Sequence, residues 1–350
     1  MHRVDRVLLA WPRGFCAGVE MAIKSLAWMT TVFEPPVYCF HEIVHNNLVV
    51  SRFEAAGVRF VDDLAEVPPG APLMLSAHGS PPELVEEARR RGGIVVNAVC
   101  PLVKKVHHEV KVRASKGYSI VYVGHKGHQE AIGTEAVAPD AVKRVESVEE
   151  LSAIPDTPGD VAFLAQTTLA VDEWQTIMEA AKQRWPDLWM PGTSDLCFAT
   201  TNRQRALKAI AGRCDCVVVV GSRTSSNTLA LVRTAQSSGC EKVVRVDDPS
   251  ELPDDLYGTV GVIAGASAPE ELVEALVATL EPVDGVEEVR ETDEDEYFPL
   301  PRELRETLRR LGTLTALGAL APDPTVTVPT DDRSASAASA LAKLSVVARS

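Results

Sequence analysis

The stretch CPLVKKVHHEVKVRASKGYSIVYVGHKGHQE (residues 100–130) contains the supersecondary unit that decides the fold. A cysteine opens an apolar, helix-like run, the strand YSIVYVG (118–124) follows, and His128 and Glu130 come directly after the strand. A helix followed by a short apolar strand and a polar turn is typical of parallel α/β proteins, in which functional residues lie at the carboxyl ends of strands. This stretch therefore predicts a buried parallel strand with a polar site at its end.

The same order of elements occurs twice more, after Cys16 and after Cys197. The matching strands and the polar residues that follow them are VYCF (37–40) with His45 and Asn46, and CVVVVG (216–221) with Ser225, Ser226 and Asn227. The polar residues begin 29, 28 and 28 residues after Cys16, Cys100 and Cys197. Such self-similarity indicates three repeated supersecondary units.

A second echo lies further along each repeat. The three segments are SAHGSPPELVEEA (76–88), AQTTLAVDEWQTI (165–177) and AGASAPEELVEAL (264–276). Each follows an apolar strand and leads into an acidic helix start, and their polar residues are His78, Thr167 and Ser267. Each repeat thus brings one thiol and two polar turns, which predicts one central site to which all three repeats contribute.

Composition narrows the function classes. The formal net charge of −14 argues against nucleic-acid binding, because a phosphate backbone is held by positive surface. We find no secretory signal and no apolar run of the roughly 18 residues that a membrane helix needs. Seven cysteines, an odd number in a long chain without a signal, do not indicate a disulfide framework. A reducing cytoplasm is the expected location, with neither nucleic acid nor membrane as a partner.

The repeat also sets the expected domain boundaries. The predicted fold is α/β with three related domains, each with a small, mostly parallel sheet. The expected ranges are 1–100 joined by the C-terminal segment 281–312, then 101–194, then 195–280. Residues 313–350 are rich in Ala, Ser, Thr and Pro, and we expect them to form a disordered tail.

The three repeat cysteines, Cys16, Cys100 and Cys197, are candidate metal ligands. They fit none of the local Cys-x-x-Cys spacings of zinc ribbons or ferredoxins, but each opens a helix, where a thiolate is favoured. Three converging thiolates can hold a [4Fe–4S] cluster and leave one iron open to bind a substrate oxygen. The alternative is that they are ordinary buried cysteines. We interpret Cys39, Cys214, Cys216 and Cys240 as structural, because the other repeats have no counterparts of them.

The polar turns are suited to an anion, in particular a phosphate, because strand-end loops and helix N-termini offer free backbone N–H groups. Neither a Walker A loop nor a G-x-G-x-x-G motif is present. In GHKGHQE (124–130), Glu130 is the candidate proton donor with His128 beside it. Zinc binding through His125 and His128 is a competing interpretation, but no third ligand lies nearby in the sequence.

Nine segments in order resemble the 4-hydroxy-3-methylbut-2-enyl diphosphate reductase (IspH/LytB) family over roughly residues 5–312. They are PRGFCAGVEMAI (12–23), HEIVHN (41–46), SAHG (76–79), CPLVKKVH (100–107), GHKGHQEAIGT (124–134), QTTL (166–169), CFATTNRQ (197–204), GSRTSSNT (221–228) and AGASAP (264–269). The sequence departs from the family pattern in NAVCP before its second cysteine, in IAGAS, and in the long tail.

The resemblance implies a trefoil of three α/β domains around a [4Fe–4S] cluster held by Cys16, Cys100 and Cys197. It implies that the diphosphate is held by His45, His78, Ser225, Ser226, Asn227 and Ser267, and that Thr167, His128 and Glu130 lie by the substrate hydroxyl. Glu130 would supply the proton.

The implied activity is reductive dehydroxylation of the allylic diphosphate to isopentenyl and dimethylallyl diphosphate, the last step of the non-mevalonate isoprenoid pathway. The implied electron donor is ferredoxin or flavodoxin. Two alternatives are a redox-neutral [4Fe–4S] hydro-lyase, which would work without reductant, and a non-catalytic iron–sulfur sensor or electron carrier.

Overall fold

Three small parallel sheets form the framework of the chain, and the computed structural model describes residues 3–91, 93–155, 159–316 and 332–347. The strands are β1 Arg3–Trp11, β2 Val37–Phe40, β3 Val58–Val61, β4 Leu73–Leu75, β5 Val95–Asn97, β6 Ser119–Val123, β7 Val142–Val145, β8 Val161–Ala165, β9 Cys216–Val220, β10 Lys242–Val246, β11 Tyr257–Ala264 and β12 Val286–Arg290. The helices are α1 Ala17–Val32, α2 Asn47–Ala55, α3 Pro82–Arg90, α4 Pro101–Ser115, α5 Gln129–Glu135, α6 Val148–Ala153, α7 Val171–Arg184, α8 Phe198–Ala211, α9 Ser226–Ser237, α10 Glu270–Leu280, α11 Arg302–Ala316 and α12 Ala337–Val347.

The strand order shows the repeat directly. The sheets run β3-β2-β4-β5, β7-β6-β8 and β10-β9-β11-β1-β12, and all pairings between these strands are parallel. In each sheet, the strand that follows a cysteine-led helix (β2, β6 or β9) lies between the next two strands of the chain. The predicted α/β class with repeated small parallel sheets is therefore confirmed.

The described residues group into two compact units. One contains the residues up to Cys16 and Leu102–Asp295, with the three-stranded and five-stranded sheets, and we call it the first unit. The second unit contains Ala17–Pro101 and the described residues from Glu296 onward, with the four-stranded sheet. No helix in the described parts of the chain is long and apolar enough to cross a membrane.

Central strands are buried on both faces, which explains why they were visible in the sequence. Every residue of β8 and β9 is buried, because helices cover both faces of a parallel sheet. Edge strands are different: in β3 and β7 only the first and last residues are buried and the two between them are accessible, and β10 is only half-buried over most of its length. Polar residues interrupt these edge strands, so their apolar runs are too short to be recognised.

The first strand departs from the expected boundaries. We expected residues 1–100 and the segment 281–312 in one domain; β1 does pair with β12 of that segment, but it also pairs with β11, which we expected in the domain of residues 195–280. The strand β12 falls in the segment 281–312, for which we had predicted no strand. Its side chains alternate between exposed and half-buried, so it carries no apolar run that predicts a strand.

The C-terminal residues also depart from expectation. We expected disorder over 313–350, but residues 332–347 include helix α12, which contacts α1 and α2 in the second unit. Ala337, Leu341 and Leu344 are buried, and the Ala337 N–H donates to Glu20 Oε2 over 2.7 Å. These three positions have helical spacing, but the many Ala and Ser residues around them made the helix difficult to predict from the sequence. Residues 317–331 and 348–350 of that predicted tail lie outside the described residues.

Candidate active site

Polar side chains collect at the carboxyl ends of the strands in the first unit. Thr167 follows β8, His125 and His128 follow β6, Ser225 follows β9 and Ser267 follows β11. Carboxyl ends of parallel strands lie at one edge of a sheet, where helix N-termini also point. The sequence-predicted residues of this unit therefore lie where loops can form a site.

Glu130 is a buried carboxyl held by one partner residue. Its side chain is in the first turn of α5 and the residue is only 2% exposed. The Thr167 N–H donates to Oε1 over 2.7 Å, and the Thr167 hydroxyl donates to Oε2 over 2.9 Å. Burial raises the pKa of Glu130 to about 7, although the two bonds from Thr167 act to lower it. The carboxyl therefore exchanges a proton near neutral pH, as a general acid must.

His128 is the N-cap of α5, and its ring orientation follows from that role. Its Nδ1 accepts the Glu130 N–H over 3.1 Å, so Nδ1 is the unprotonated nitrogen of the neutral ring and Nε2 carries the hydrogen. The helix start thus fixes His128 and Glu130 relative to each other. Both residues were predicted together, and the structure brings them together.

The N-terminus of α9 joins two strand-end loops. Ser225 is the N-cap, and its Oγ accepts the Thr228 N–H over 3.3 Å. Asn227 Oδ1 accepts the Ala266 N–H over 2.9 Å, which ties α9 to the loop that carries Ser267. Ser225, Asn227 and Ser267 are buried polar residues of one loop cluster, as the repeat predicted.

Cys197 is the N-cap of α8, and its sulfur accepts hydrogen bonds. The Thr200 N–H donates to Sγ over 3.2 Å, and Thr200 Oγ1 lies 3.0 Å from it. Asn227 Nδ2 donates to the same Thr200 oxygen over 3.3 Å. Burial raises the pKa of the Cys197 thiol to about 12, and the charge on Cys16 adds to the effect.

Cys16 lies in the same unit, after β1. Its N–H donates to Ala266 O over 3.2 Å, so its loop is fixed to the loop of Ser267. Arg203, which is only 1% exposed, donates from Nε and Nη2 to Gly14 O and forms an ion pair with Glu294. Arg203 was not among the predicted site residues. It is one of three cations on α8, with Arg205 and Lys208, so nothing in the sequence distinguishes it.

The second unit carries His45, His78 and Cys100 at the ends of β2, β4 and β5. The two imidazole rings stack, with centroids 4.3 Å apart and planes at 20°. His45 Nδ1 lies 3.2 Å from Glu42 Oε2, and His78 Nδ1 lies 3.4 Å from Ser76 Oγ. The Cys100 N–H donates to Ala77 O over 3.0 Å, beside His78. These three predicted residues therefore belong to neighbouring strand-end loops of one sheet.

Among the residues that the structure describes, no three His, Cys, Asp or Glu side chains already form a metal-binding group. The donor chemistry at Cys197 nevertheless suits an iron–sulfur group. A buried thiolate is unfavourable without a compensating cation, and the Thr200 donors offer the hydrogen bonds that a ligated sulfur accepts. The competing zinc interpretation finds no support at His125, whose ring contacts Ser226 and Arg233 instead.

Known proteins resemble this chain in sequence over most of its length. The sequence model of a family described as "LytB protein" matches residues 7–281. A relative from Acidothermus cellulolyticus, named 4-hydroxy-3-methylbut-2-enyl diphosphate reductase, is 44% identical over 91% of this chain and 95% of its own length. A relative of the same name from Streptomyces coelicolor is 43% identical over 87% of this chain and 92% of its own length.

A solved structure gives the same result for the fold. The E-1-hydroxy-2-methyl-but-2-enyl-4-diphosphate reductase from Plasmodium falciparum superposes with a TM-score of 0.85 at 32% identity, covering 89% of this chain and 99% of that one. Sequence and fold therefore agree over nearly the whole length of the relatives. This chain belongs to the LytB family.

Proposed function

We propose that this chain removes the 4-hydroxyl of (E)-4-hydroxy-3-methylbut-2-enyl diphosphate reductively, giving isopentenyl and dimethylallyl diphosphate in the non-mevalonate pathway. Two electrons and two protons are consumed, the C4–O bond breaks, and the oxygen leaves as water. Family membership and the printed names of relatives support the substrate and the reaction. The observation that carries the proposal is Glu130, a buried carboxyl whose pKa is raised to about 7.

Glu130 is the proton donor in this proposal. A hydroxyl is a poor leaving group, so the C4 oxygen needs a proton as the C4–O bond breaks. Both Glu130 oxygens are bonded to Thr167, whose hydroxyl can accept as well as donate. Thr167 can therefore take the carboxyl proton while it gives its own to the substrate. His128, fixed by the same helix start, would orient the hydroxyl beside them.

Cys16, Cys100 and Cys197 would hold a [4Fe–4S] cluster. Such a cluster, when bound, supplies electrons one at a time and an iron that acts as a Lewis acid. Cys197 supports this assignment through the hydrogen bond that its sulfur accepts from the Thr200 backbone N–H. The chain's own contribution is to orient the thiols at helix N-termini, where the dipole favours thiolate.

The diphosphate would be held by His45, His78, Ser225, Ser226, Asn227 and Ser267. Serine and amide side chains at the start of α9 and next to α10 lie where backbone N–H groups and helix dipoles favour an anion. Asn227 has its Oδ1 engaged by Ala266 N, so its amide nitrogen is the group oriented for donation. The stacked histidines would donate from imidazole nitrogens and need no Mg²⁺ between protein and phosphate.

The electron donor would be a low-potential carrier such as ferredoxin or flavodoxin, and the location a reducing cytoplasm, in which thiol ligands persist. The three repeats would act as three domains that contribute one cysteine each.

The test is anaerobic reconstitution of the full chain with iron and sulfide, followed by assay with the hydroxylated diphosphate and a reduced low-potential donor. We expect about four irons per chain and formation of both isoprenoid products. Turnover without reductant would favour the hydro-lyase, and iron binding without any turnover would favour a sensor or carrier. A triple Cys16, Cys100 and Cys197→Ser variant should lose iron, whereas undiminished iron would contradict the ligand assignment.

A further inference from the structure

Ser226 has an unusually complete set of partners around one hydroxyl. Its Oγ lies 3.0 Å from Gln166 Nε2, 3.3 Å from His125 Nδ1 and 3.4 Å from Thr168 O. A hydroxyl has one hydrogen and two lone pairs, so it can satisfy at most one donation and two acceptances. Which partner donates therefore decides what the Ser226 hydrogen is left to do.

Arg233 fixes the protonation of the His125 ring. Arg233 Nη2 lies 3.4 Å from His125 Nε2, and a guanidinium can only donate. Nε2 must therefore be the unprotonated nitrogen, and in the neutral ring the hydrogen must be on Nδ1. That hydrogen points at Ser226 Oγ, so His125 donates to Ser226 rather than accepting from it.

Gln166 donates to the same oxygen. Its Oε1 accepts the backbone N–H of His125 over 2.9 Å, which sets the orientation of the Gln166 side-chain amide. The Nε2 group is therefore directed to Thr168 Oγ1 at 2.9 Å and to Ser226 Oγ at 3.0 Å. With His125 and Gln166 both donating, the two lone pairs of Ser226 are occupied.

The neutral state of His125 is maintained by its surroundings. Burial lowers the pKa of His125, and Arg233 lowers it further; Arg144 acts in the same direction, while Glu173 and Glu146 oppose it. Arg233 is itself held by Glu173, with Nε 2.6 Å from Oε1. A second proton on the ring would have to sit on Nε2, facing the guanidinium. Burial and the neighbouring guanidinium groups therefore favour the neutral ring.

We propose that His125 and Arg233 are positioning residues that make the Ser226 hydroxyl an obligate hydrogen-bond donor to a phosphoryl oxygen of the substrate. Among the residues that the structure describes, the acceptor for its hydrogen is Thr168 O at 3.4 Å, a long bond that an anionic oxygen would replace. This inference rests on the proposed function for the identity of the anion. Ser225 differs, because its oxygen accepts from the Thr228 backbone N–H, and among the described residues no histidine or glutamine side chain donates to it.

The first experiment measures the tautomer. In the reconstituted protein labelled with ¹⁵N-histidine, we expect the chemical shifts of His125 to show a protonated Nδ1 and an unprotonated Nε2 at pH 7.5. Arg233→Met removes the guanidinium that donates to His125 Nε2, so we expect the ring hydrogen to move from Nδ1 toward Nε2. A wild-type His125 that carries its hydrogen on Nε2 would overturn the inference, whether or not any variant folds.

The second experiment uses two substitutions that replace one ring nitrogen each. The amide nitrogen of His125→Asn can take the place of Nδ1, whereas the amide of His125→Gln reaches the place of Nε2. We expect His125→Gln to raise the KM for the diphosphate substrate about tenfold, equivalent to about 1.4 kcal/mol, with kcat changed less than about twofold. His125→Asn should stay within about threefold of wild type, a split that a purely structural role does not produce.

The controls separate this inference from the proposed function. His108→Asn alters an exposed histidine of the same unit and should change neither constant. The affinity of the oxidised holoenzyme for inorganic pyrophosphate is measured by calorimetry, without turnover. We expect it to be similar in wild type and His125→Asn and lower in His125→Gln. If the three proteins bind pyrophosphate in that order but the wild type does not reduce the substrate, the proposed function fails alone. Equal losses in the Asn and Gln variants would overturn the positioning role.

Discussion

The two ends of helix α8 carry cysteines in opposite chemical environments. At the N-terminus, Cys197 Sγ receives the Thr200 N–H, and the Thr200 hydroxyl lies beside it. Beyond the C-terminus, the Cys214 thiol donates to Ile210 O over 3.1 Å. Burial is the main cause that raises the pKa of both thiols to about 12. Burial therefore does not distinguish these two sulfurs, but the direction of their hydrogen bonds does.

The difference follows from the helix itself. Free N–H groups and the positive end of the dipole favour a sulfur with negative charge at the N-terminus, and free carbonyls favour a protonated thiol at the C-terminus. Cys240 resembles Cys214, since its thiol donates to Lys242 O over 3.4 Å. A cysteine that accepts hydrogen bonds is ready to be a ligand, whereas one that donates them is a packing residue.

The sharpest way to break this comparison is to remove each thiol in turn. Cys197→Ser should lose iron and bring activity down to the assay background, because a ligand is removed from the proposed cluster. Cys214→Ser, the matched control at the other end of α8, should keep iron and activity. Iron content and turnover of the reconstituted proteins measure both effects, and equal behaviour of the two variants would contradict the comparison.

The two ends of helix α5 also carry carboxyl groups in different environments. Glu130 in its first turn is buried, whereas Glu135 in its last turn is part-exposed and pairs with Arg144. Glu130→Gln keeps an acceptor for the Thr167 N–H and turns an amide N–H₂ toward the Thr167 hydroxyl, but it has no acidic proton to give, so kcat should fall about 10²- to 10⁴-fold with iron content unchanged. Glu135→Gln should stay close to wild type. Wild-type turnover by Glu130→Gln would exclude Glu130 as the donor.

The pH dependence sharpens the role of Thr167. A group whose pKa is raised to about 7 is protonated below that pH, so kcat should fall as pH rises through about 7. Thr167→Val removes the hydroxyl that passes the proton on, so kcat should fall; because that hydroxyl also lowers the pKa of Glu130, the falling limb of the residual activity should move to higher pH. A limb that moves to lower pH, or does not move, would contradict this account.

The smallest expected effect concerns the hydroxyl beside Cys197. Thr200→Val keeps the backbone N–H to the sulfur but removes the Oγ1 contact and the acceptor of Asn227. We expect iron to be lost to a chelator about tenfold faster, the lower end of the range for outer partners of a metal ligand. Thr201→Val, on the neighbouring position of α8, is the control and should leave the rate unchanged.

Much of the site could be read from the sequence because the repeat has a regular spacing. His128 with Glu130, and Ser225 with Asn227, follow apolar strands that were long enough to recognise. The hydrogen-bond network around Ser226 could not be predicted from the sequence, because Gln166, His125 and Arg233 belong to three separate segments of the chain. Hydrogen-bond partners of this kind are set by packing and leave no periodic pattern.

The sequence by itself determined the α/β class, the repeat and the family, since apolar runs and motif order are local properties of a chain. Only the tertiary structure decided that β1 lies between β11 and β12, because the pairing of strands far apart in the sequence depends on how the chain folds back on itself. Burial is the main cause of the raised pKa of Glu130, and the charge on Asp195 adds to it; desolvation exists only once the surrounding chain excludes water. Likewise, the direction of the hydrogen bonds at Cys197 and Cys214 became visible only with the helix ends in place.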